Sequence, residues 1–295
     1  MADASTTTRN SEVLRKNMGF VAYPTIALMV VALALWGLNV FAFVTGLIPV
    51  WLGALFTVVC GYISFTPFHE ATHGNISGKT HDHPLDKACG WLAGLPFWAP
   101  YSAFVLVHLT HHANTNDPEK DPDYWVFSKN PFSVLFRTLM VYPNYMVHIF
   151  HKIPKRGRKV RRIQIEMLTY LTALAAGIVT LEVLYSGVGQ ALFFAWILPG
   201  FLTHCSLSWT LDYLPHWPHQ ERARYGQTRV LEGRGLDILL LGQNLHVVHH
   251  LYPHVPFYCY RPVFNQIKPK LIEEEVRFEP VLVDKELKDK ILANE

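Results

Sequence analysis

Between Lys16 and His69 the chain runs for 52 residues, 17 to 68, without a single Asp, Glu, Lys, Arg or His. A helix crossing the hydrocarbon core of a bilayer needs about 20 apolar residues, so this run is long enough for two. Thr45, Gly46 and Pro49 supply a turn, and the pattern predicts spans over about 20–44 and 48–68. The first of these is too long for the apolar core of a signal peptide. Because no water reaches the bilayer core, each segment must satisfy its own backbone N–H and C=O groups, which selects helices.

A second hairpin is predicted over about 167–185 and 190–208. Glu182 is the only charge between Met167 and Thr203, and Ser186-Gly187-Val188-Gly189 is the turn. Residues 88–107 form another uncharged stretch, but Gly90, Gly94, Pro96 and Pro100 interrupt it. This stretch reads as a re-entrant or interfacial segment. A hairpin returns the chain to the side it left, so the N-terminal tail, residues 69–162 and everything after about 208 should share one face. Seven Lys/Arg between Lys152 and Arg162 lie on that face, whereas both hairpin turns opposite are uncharged. The positive-inside rule therefore puts the polar mass and both termini on the cytoplasmic side. The expected fold is all-α: a multi-pass membrane protein of four helices in two hairpins, with a His-rich helical cap, forming one domain over 1–295. The tail from about 268 reads as a charged, solvated end.

Composition narrows the function. Half of the residues are apolar, and 17% are charged where about 25% is usual, so a disordered chain is excluded. A net charge of +3 is too small for a protein that must neutralise a run of phosphates, and nucleic acid is not an expected partner. The cysteines at 60, 89, 205 and 259 form no CxxC pair, which argues against a zinc ribbon or a disulfide framework.

Histidine is the exception, with 16 copies. Eight of them fall in His69-Glu-Ala-Thr-His73, His108-Leu-Thr-His111-His112 and His246-Val-Val-His249-His250. Residues at i, i+3 and i+4 share one helix face, so each cluster aims two or three imidazoles at one point. A single HxxxH is commonly a pair on a helix surface. Three such clusters on one side of a membrane are not, since ionisable groups near lipid are costly and mark function. Eight imidazoles exceed the needs of one metal and suggest two ions, with Fe, Zn, Cu or Ni favoured over Mg or Ca. The zinc-protease pattern HExxH is formally present at His69-Glu70-Ala71-Thr72-His73, with Glu70 as its general base, but a protease needs one further ligand and not six more histidines.

The three boxes, their order and their placement resemble the membrane fatty acid desaturase and hydroxylase superfamily, whose histidines hold a di-iron centre. Within it, Asn116-Asp117-Pro118-Glu119-Lys120-Asp121-Pro122-Asp123, Asp212-Tyr-Leu-Pro-His216 and Gly242-Gln-Asn-Leu-His-Val-Val-His-His-Leu-Tyr-Pro253 look most like the ferredoxin-dependent β-carotene ring hydroxylases of the desaturase type. The resemblance implies that His69, His73, His108, His111, His112, His246, His249 and His250 are iron ligands. It offers His216 as a ninth, unless Pro215 ends the helix and leaves it on the surface. His219 and His254 lie near the matched strings without a required role, and His148, His151 and His204 match none of the boxes.

Metal-bound imidazoles usually donate their other N–H to a carboxylate or carbonyl, so Asp117, Asp121, Asp123, Asp212 and Asp237 are expected among those supports. An acidic calcium loop or simple turn caps are the alternatives for the first three. The basic run at 152–162 is topological or a dock for an acidic electron donor, and Trp51 and Trp209 read as membrane-interface anchors.

Attack on an unactivated C–H bond requires a redox metal, which excludes zinc. What the resemblance implies is O2-dependent, di-iron hydroxylation of the β-ionone rings of β-carotene at carbon 3, giving cryptoxanthin and zeaxanthin, with ferredoxin or a similar donor and a lipid-soluble carotenoid as partners. An acyl-lipid or fatty acid desaturase is the alternative enzyme, with a ketolase behind it. A non-catalytic metal carrier would need a polar path through the spans, and the first hairpin has none.

Overall fold

The computed structural model describes residues 16–153 and 157–281. Four of its helices are long and apolar enough to cross a membrane: α1 (Tyr23–Val44), α2 (Val50–Thr72), α7 (Arg158–Leu184) and α8 (Val188–Tyr213). Between α2 and α7 lie α3 (Pro84–Ala93), α4 (Tyr101–Asn114), α5 (Pro131–Leu139) and α6 (Val141–Val147). After α8 come the strand β1 (Val230–Glu232), α9 (His246–Leu251), α10 (Tyr260–Glu273) and β2 (Phe278–Pro280).

Three of the long helices extend beyond their expected ends on the polar side. α2 continues to Thr72, so His69 stands on the helix itself, and α7 begins at Arg158, nine residues before the uncharged stretch. Arg and Lys are good helix formers, so a run of charge ends the hydrocarbon crossing without ending the helix. α8 continues to Tyr213 through two wide π-type turns, Phe193–Ile197 and Ser208–Tyr213.

Polar side chains pin the helices where no water competes. Buried Asn39 of α1 donates to Gly53 O and Thr57 Oγ1 of α2, both at 2.9 Å, and Thr57 donates onward to Ala195 O of α8 at 2.7 Å. Gly61 lets α2 approach α8, since a Cβ there would stand 2.7 Å from Thr203 Oγ1. Small residues and interhelical hydrogen bonds are the means by which helices associate where burial of apolar surface gives no advantage over lipid.

The interrupted stretch 88–107 becomes the end of α3, a 3-10 turn at Leu95–Phe97 and the start of α4. Trp98 Nε1 donates to Ile197 O and Trp196 Nε1 to Leu95 O, which ties this turn to the middle of α8.

Two features depart from an all-helical chain with a solvated end. β1 and β2 pair in parallel with Val230 opposite Phe278. Leu271, Val276 and Phe278 are buried with Tyr260, Phe264 and Val230 in the core beneath α9 and α10. Strands of three residues are too short to leave a periodic signal in sequence. Residues 282–295 lie outside the described part of the chain.

Candidate metal centre

The polar end of α2 contributes His69 and His73, α4 contributes His108, His111 and His112, and α9 contributes His246, His249 and His250. His216 follows α8 after Pro215, in a turn where Trp217 N donates to Tyr213 O, so the chain keeps winding and the ring faces inward. The structure brings all nine rings into one cluster. Seven are buried, and His112 and His250 are half-buried.

The rings fall into two sets. His69, His73, His108 and His249 each offer one nitrogen within 4.8 Å of the others, and His111, His216 and His250 do the same. His112 joins the first set, its Nε2 lying 2.8 Å from His249 Nε2 and 3.1 Å from His108 Nε2. His246 packs against His216 and His250, with ring centroids at 5.2 and 4.8 Å.

Hydrogen bonds on the outer nitrogens fix what the inner ones present. His111 Nδ1–H donates to Asp121 Oδ1 at 2.9 Å, His246 Nδ1–H to Gln243 Oε1 at 2.9 Å and His216 Nδ1–H to Gln227 O at 3.2 Å. His249 Nδ1 pairs with the Tyr260 hydroxyl at 3.1 Å. A ring that gives its Nδ1 proton to an oxygen keeps a lone pair on Nε2. Nε2 atoms face one another at 2.8 Å (His73 and His108) and 3.3 Å (His111 and His250), roughly the spacing of two imidazole nitrogens that share one metal at about 2.1 Å from each. Burial, reinforced by the neighbouring imidazoles, holds His73, His108, His112, His216, His246, His249 and His250 well below the usual histidine value, so each is the neutral species a metal requires. His111 goes the other way. Burial would lower it, but Asp121 and Asp123 together outweigh burial and raise it to about 9. The donor set fits two divalent transition-metal ions, one per set.

The expected carboxylate supports divide. Asp121 and Asp123 meet His111 Nδ1 at 2.9 and 3.3 Å. This trio uses the outer nitrogen of His111, so it braces the ring and does not form a third metal site. Asp212 is joined to Asp123 through Tyr145, whose hydroxyl contacts Asp123 Oδ1 at 2.7 Å and Asp212 Oδ2 at 3.2 Å. Asp117 accepts from the Glu119 and Lys120 N–H groups and from Arg222, and so holds a turn. Asp237 is held by both arms of Arg261 and by Asn244, bracing the approach to α9. Both were expected beside an imidazole, but a carboxylate within reach of an N–H-rich turn or a guanidinium is satisfied there first.

Glu70 faces away from the cluster and accepts from Asn75 Nδ2 and Phe257 N–H, so the zinc-protease role of a general base has no geometry here. His219 is buried and lies nearly parallel to His216 at 5.9 Å, and His254 Nδ1–H donates to His73 O at 3.0 Å. Gln243, Gln227, Tyr260 and Tyr145 had no signal of their own in the sequence. Gln243 stood closest to being legible, three residues before His246 in the Gly242–Pro253 string.

Below the rings lies a mostly apolar cavity, part of it open to the outside, walled by α2, α4, α6, α7 and α8. Phe65, Phe104, Val107, Tyr145 and Asp212 line both this cavity and a smaller one among the histidines. Phe104 stacks on His108 at 5.2 Å and Phe65 on His69 at 5.7 Å, so aromatic faces separate the imidazoles from the apolar space.

Candidate spans, two sets of converging imidazoles and an apolar space beneath them together define a membrane protein with a candidate two-metal site. The chain belongs to the fatty acid desaturase family, whose model matches residues 45–281. It is 23% identical over 243 residues to the chloroplastic omega-6 fatty acid desaturase of Glycine max, a match covering 74% of this chain and 55% of that protein. It is 28% identical over 243 residues to a fatty acid desaturase of Bacillus subtilis, covering 70% and 65%. With the sn-1 acyl-lipid omega-3 desaturase (ferredoxin) of Synechocystis it shares 26% over 255 residues, covering 74% and 68%. The chain thus spans little more than half the length of the soybean relative. These relatives are named as acyl or fatty acid desaturases, not as the carotene hydroxylases that the motif strings had suggested.

Proposed function

We propose that the protein oxidises a C–H bond of a membrane lipid with O2 at two irons, and that the reaction is desaturation of an acyl lipid. The observation that carries this reading is the shared wall of Phe65, Phe104, Val107, Tyr145 and Asp212, where an apolar cavity meets the imidazole cluster. A hydrocarbon lying in that cavity has its nearest carbons against the aromatic faces beneath His69 and His108.

In this proposal His69, His73, His108, His112 and His249 hold one iron, and His111, His216, His246 and His250 the other. Bound iron supplies the activation of O2 that no side chain provides. The protein does the rest. Asp121 and Asp123 fix the His111 ring, Gln243 and Tyr260 fix His246 and His249, and Phe65 and Phe104 keep water from the reacting carbon. Overall, desaturation consumes O2, two electrons and two protons, removes two hydrogens from adjacent carbons and yields two waters. A ferredoxin or similar one-electron donor supplies the electrons in this reading, supported by the donor in the name of the Synechocystis relative. We read 1–295 as one domain, with the histidine face and both termini on the cytoplasmic side, on the strength of the basic run at 152–162.

One observation favours ring hydroxylation of β-carotene as a second reading. Asp121, Asp123 and Gln243, which brace the rings, are residues of the strings that look like carotene hydroxylases. Expression in a β-carotene-accumulating host supplying ferredoxin and its reductase separates the two in one culture. New double bonds in the host's acyl lipids, with pigment unchanged, support desaturation. Pigments heavier by one and two oxygens, with fatty acids unchanged, establish the hydroxylase instead. Iron-loaded protein that changes neither refutes both.

A further inference from the structure

Helix α5 has its apolar side outward. Phe132, Leu135, Phe136, Leu139 and Met140 form one stripe at i, i+3, i+4, i+7 and i+8; Phe132 is 81% exposed and Phe136 58%, while Val134 and Thr138 opposite them are buried. The one charge of α5 is turned inward. The Arg137 guanidinium donates to the carbonyls of Trp125 at 2.9 Å and Phe127 at 2.7 Å, and lies over the Trp125 ring at 5.3 Å. No charged group therefore interrupts the stripe, and a protein surface in water rarely presents such a continuous apolar patch.

The neighbours of α5 indicate its depth. It packs against the Leu198–Leu207 part of α8, which at 1.5 Å per residue lies about 9 to 22 Å along that helix from Tyr213. Leu198 and Leu202 are exposed there too, so the stripe of α5 continues the outward surface of a candidate span. α6 follows directly and turns Val141, Tyr142 and Tyr145 into the apolar cavity.

We propose that α5 is sunk in the bilayer, with lipid acyl chains covering Phe132, Leu135, Phe136 and Leu139, so that the α5–α6 hairpin separates the apolar cavity from lipid. This does not depend on whether the substrate is an acyl lipid or a carotenoid. It went unread in sequence because 131–147 carries Arg137 and is shorter than a span.

The test places a nitroxide label on the full chain, iron-loaded and reconstituted in dioleoylphosphatidylcholine vesicles, in the variants Phe132→Cys, Phe136→Cys and Lys129→Cys. Cys60, Cys89 and Cys259 are buried, and labelling of the unsubstituted chain measures any background from them and from Cys205. Iron content equal to that of the unsubstituted chain confirms the fold. At 132 and 136, relaxation enhancement by O2 should exceed that by a water-soluble nickel chelate severalfold, with the order reversed at 129. Nickel access at 132 and 136 equal to that at 129 overturns the proposal. Exclusion of both reagents also overturns it, and dipolar broadening that disappears on dilution with unlabelled chain would then identify a second copy as the cover.

Discussion

The Tyr145 hydroxyl lies 2.7 Å from one carboxylate oxygen of Asp123, where the apolar cavity opens toward the imidazoles. Burial pushes Tyr145 well above the usual phenol value, aided by Asp123 and Asp212, so the group is a neutral donor shared between two carboxylates. Tyr145→Phe keeps the ring and removes the bridge. A hydrogen bond to a charged group contributes about 1.5–3 kcal/mol, so turnover per iron should fall at least about tenfold while iron content stays the same. Turnover and iron analysis on one sample check this.

Asp121 and Asp237 were equivalent in sequence and are not equivalent in space. Asp121→Asn takes the charge from beneath His111, and loss of such a support lowers metal affinity about 10–100-fold. Asp237→Asn weakens a pair with Arg261 and should leave iron affinity unchanged. Competition of each variant with a graded chelator measures the difference.

His216→Ala and His254→Ala separate ring from bystander in the same manner. His216 belongs to the second set, so its loss should lower the iron content and abolish product. The His254 contact is with a backbone carbonyl, and its loss should change neither. Metal analysis and product assay distinguish the two.

Acid should destabilise the iron-free protein. Below 6.5 the unfolded chain protonates its histidines while the native rings of His73, His108, His112, His216, His246, His249 and His250 stay neutral. The unfolded state then binds more protons, so stability falls as pH drops. His111, held at about 9, acts in reverse, so its contribution is full below 6.5 and is lost as pH rises toward 9. Seven rings against one give a melting temperature that drops steeply on acidification below 6.5 and declines only gently between 6.5 and 9. Thermal unfolding of detergent-solubilised protein across pH 5 to 9, about the range where histidine titrates, traces both slopes.

Gly61→Ala tests the closest approach of two candidate spans. The new methyl would meet Thr203 Oγ1 at 2.7 Å and Cγ2 at 2.9 Å, an overpacked contact costing about 1–3 kcal/mol. Adding Thr203→Ala should restore most of the lost melting temperature, as a double-mutant comparison would measure.

Local chemistry was legible in the sequence and long-range geometry was not. His69 with His73, and His108 with His111 and His112, could be paired because helical spacing fixes neighbours within a turn. That Asp121 rather than Asp237 would reach an imidazole depended on where Arg261, 24 residues beyond Asp237, came to rest. The four apolar helices were readable because lipid demands length and absence of charge, both properties of sequence alone. α5 was not, because its stripe is that of any amphipathic helix, and only its packing against α8 shows which side faces out.

His69 Nε2 and His249 Nε2 stand 3.1 Å apart across 180 residues of chain. During synthesis, α2 and α4 can therefore be complete while the cluster still lacks every ring of α9. A nascent chain halted before His246 would carry five box histidines, an incomplete first set and only His111 of the second set unless His216 had also emerged. Iron capture is thus tied to the synthesis of α9, and a bound metal pair reports that the chain has been made through His250 and has closed on itself.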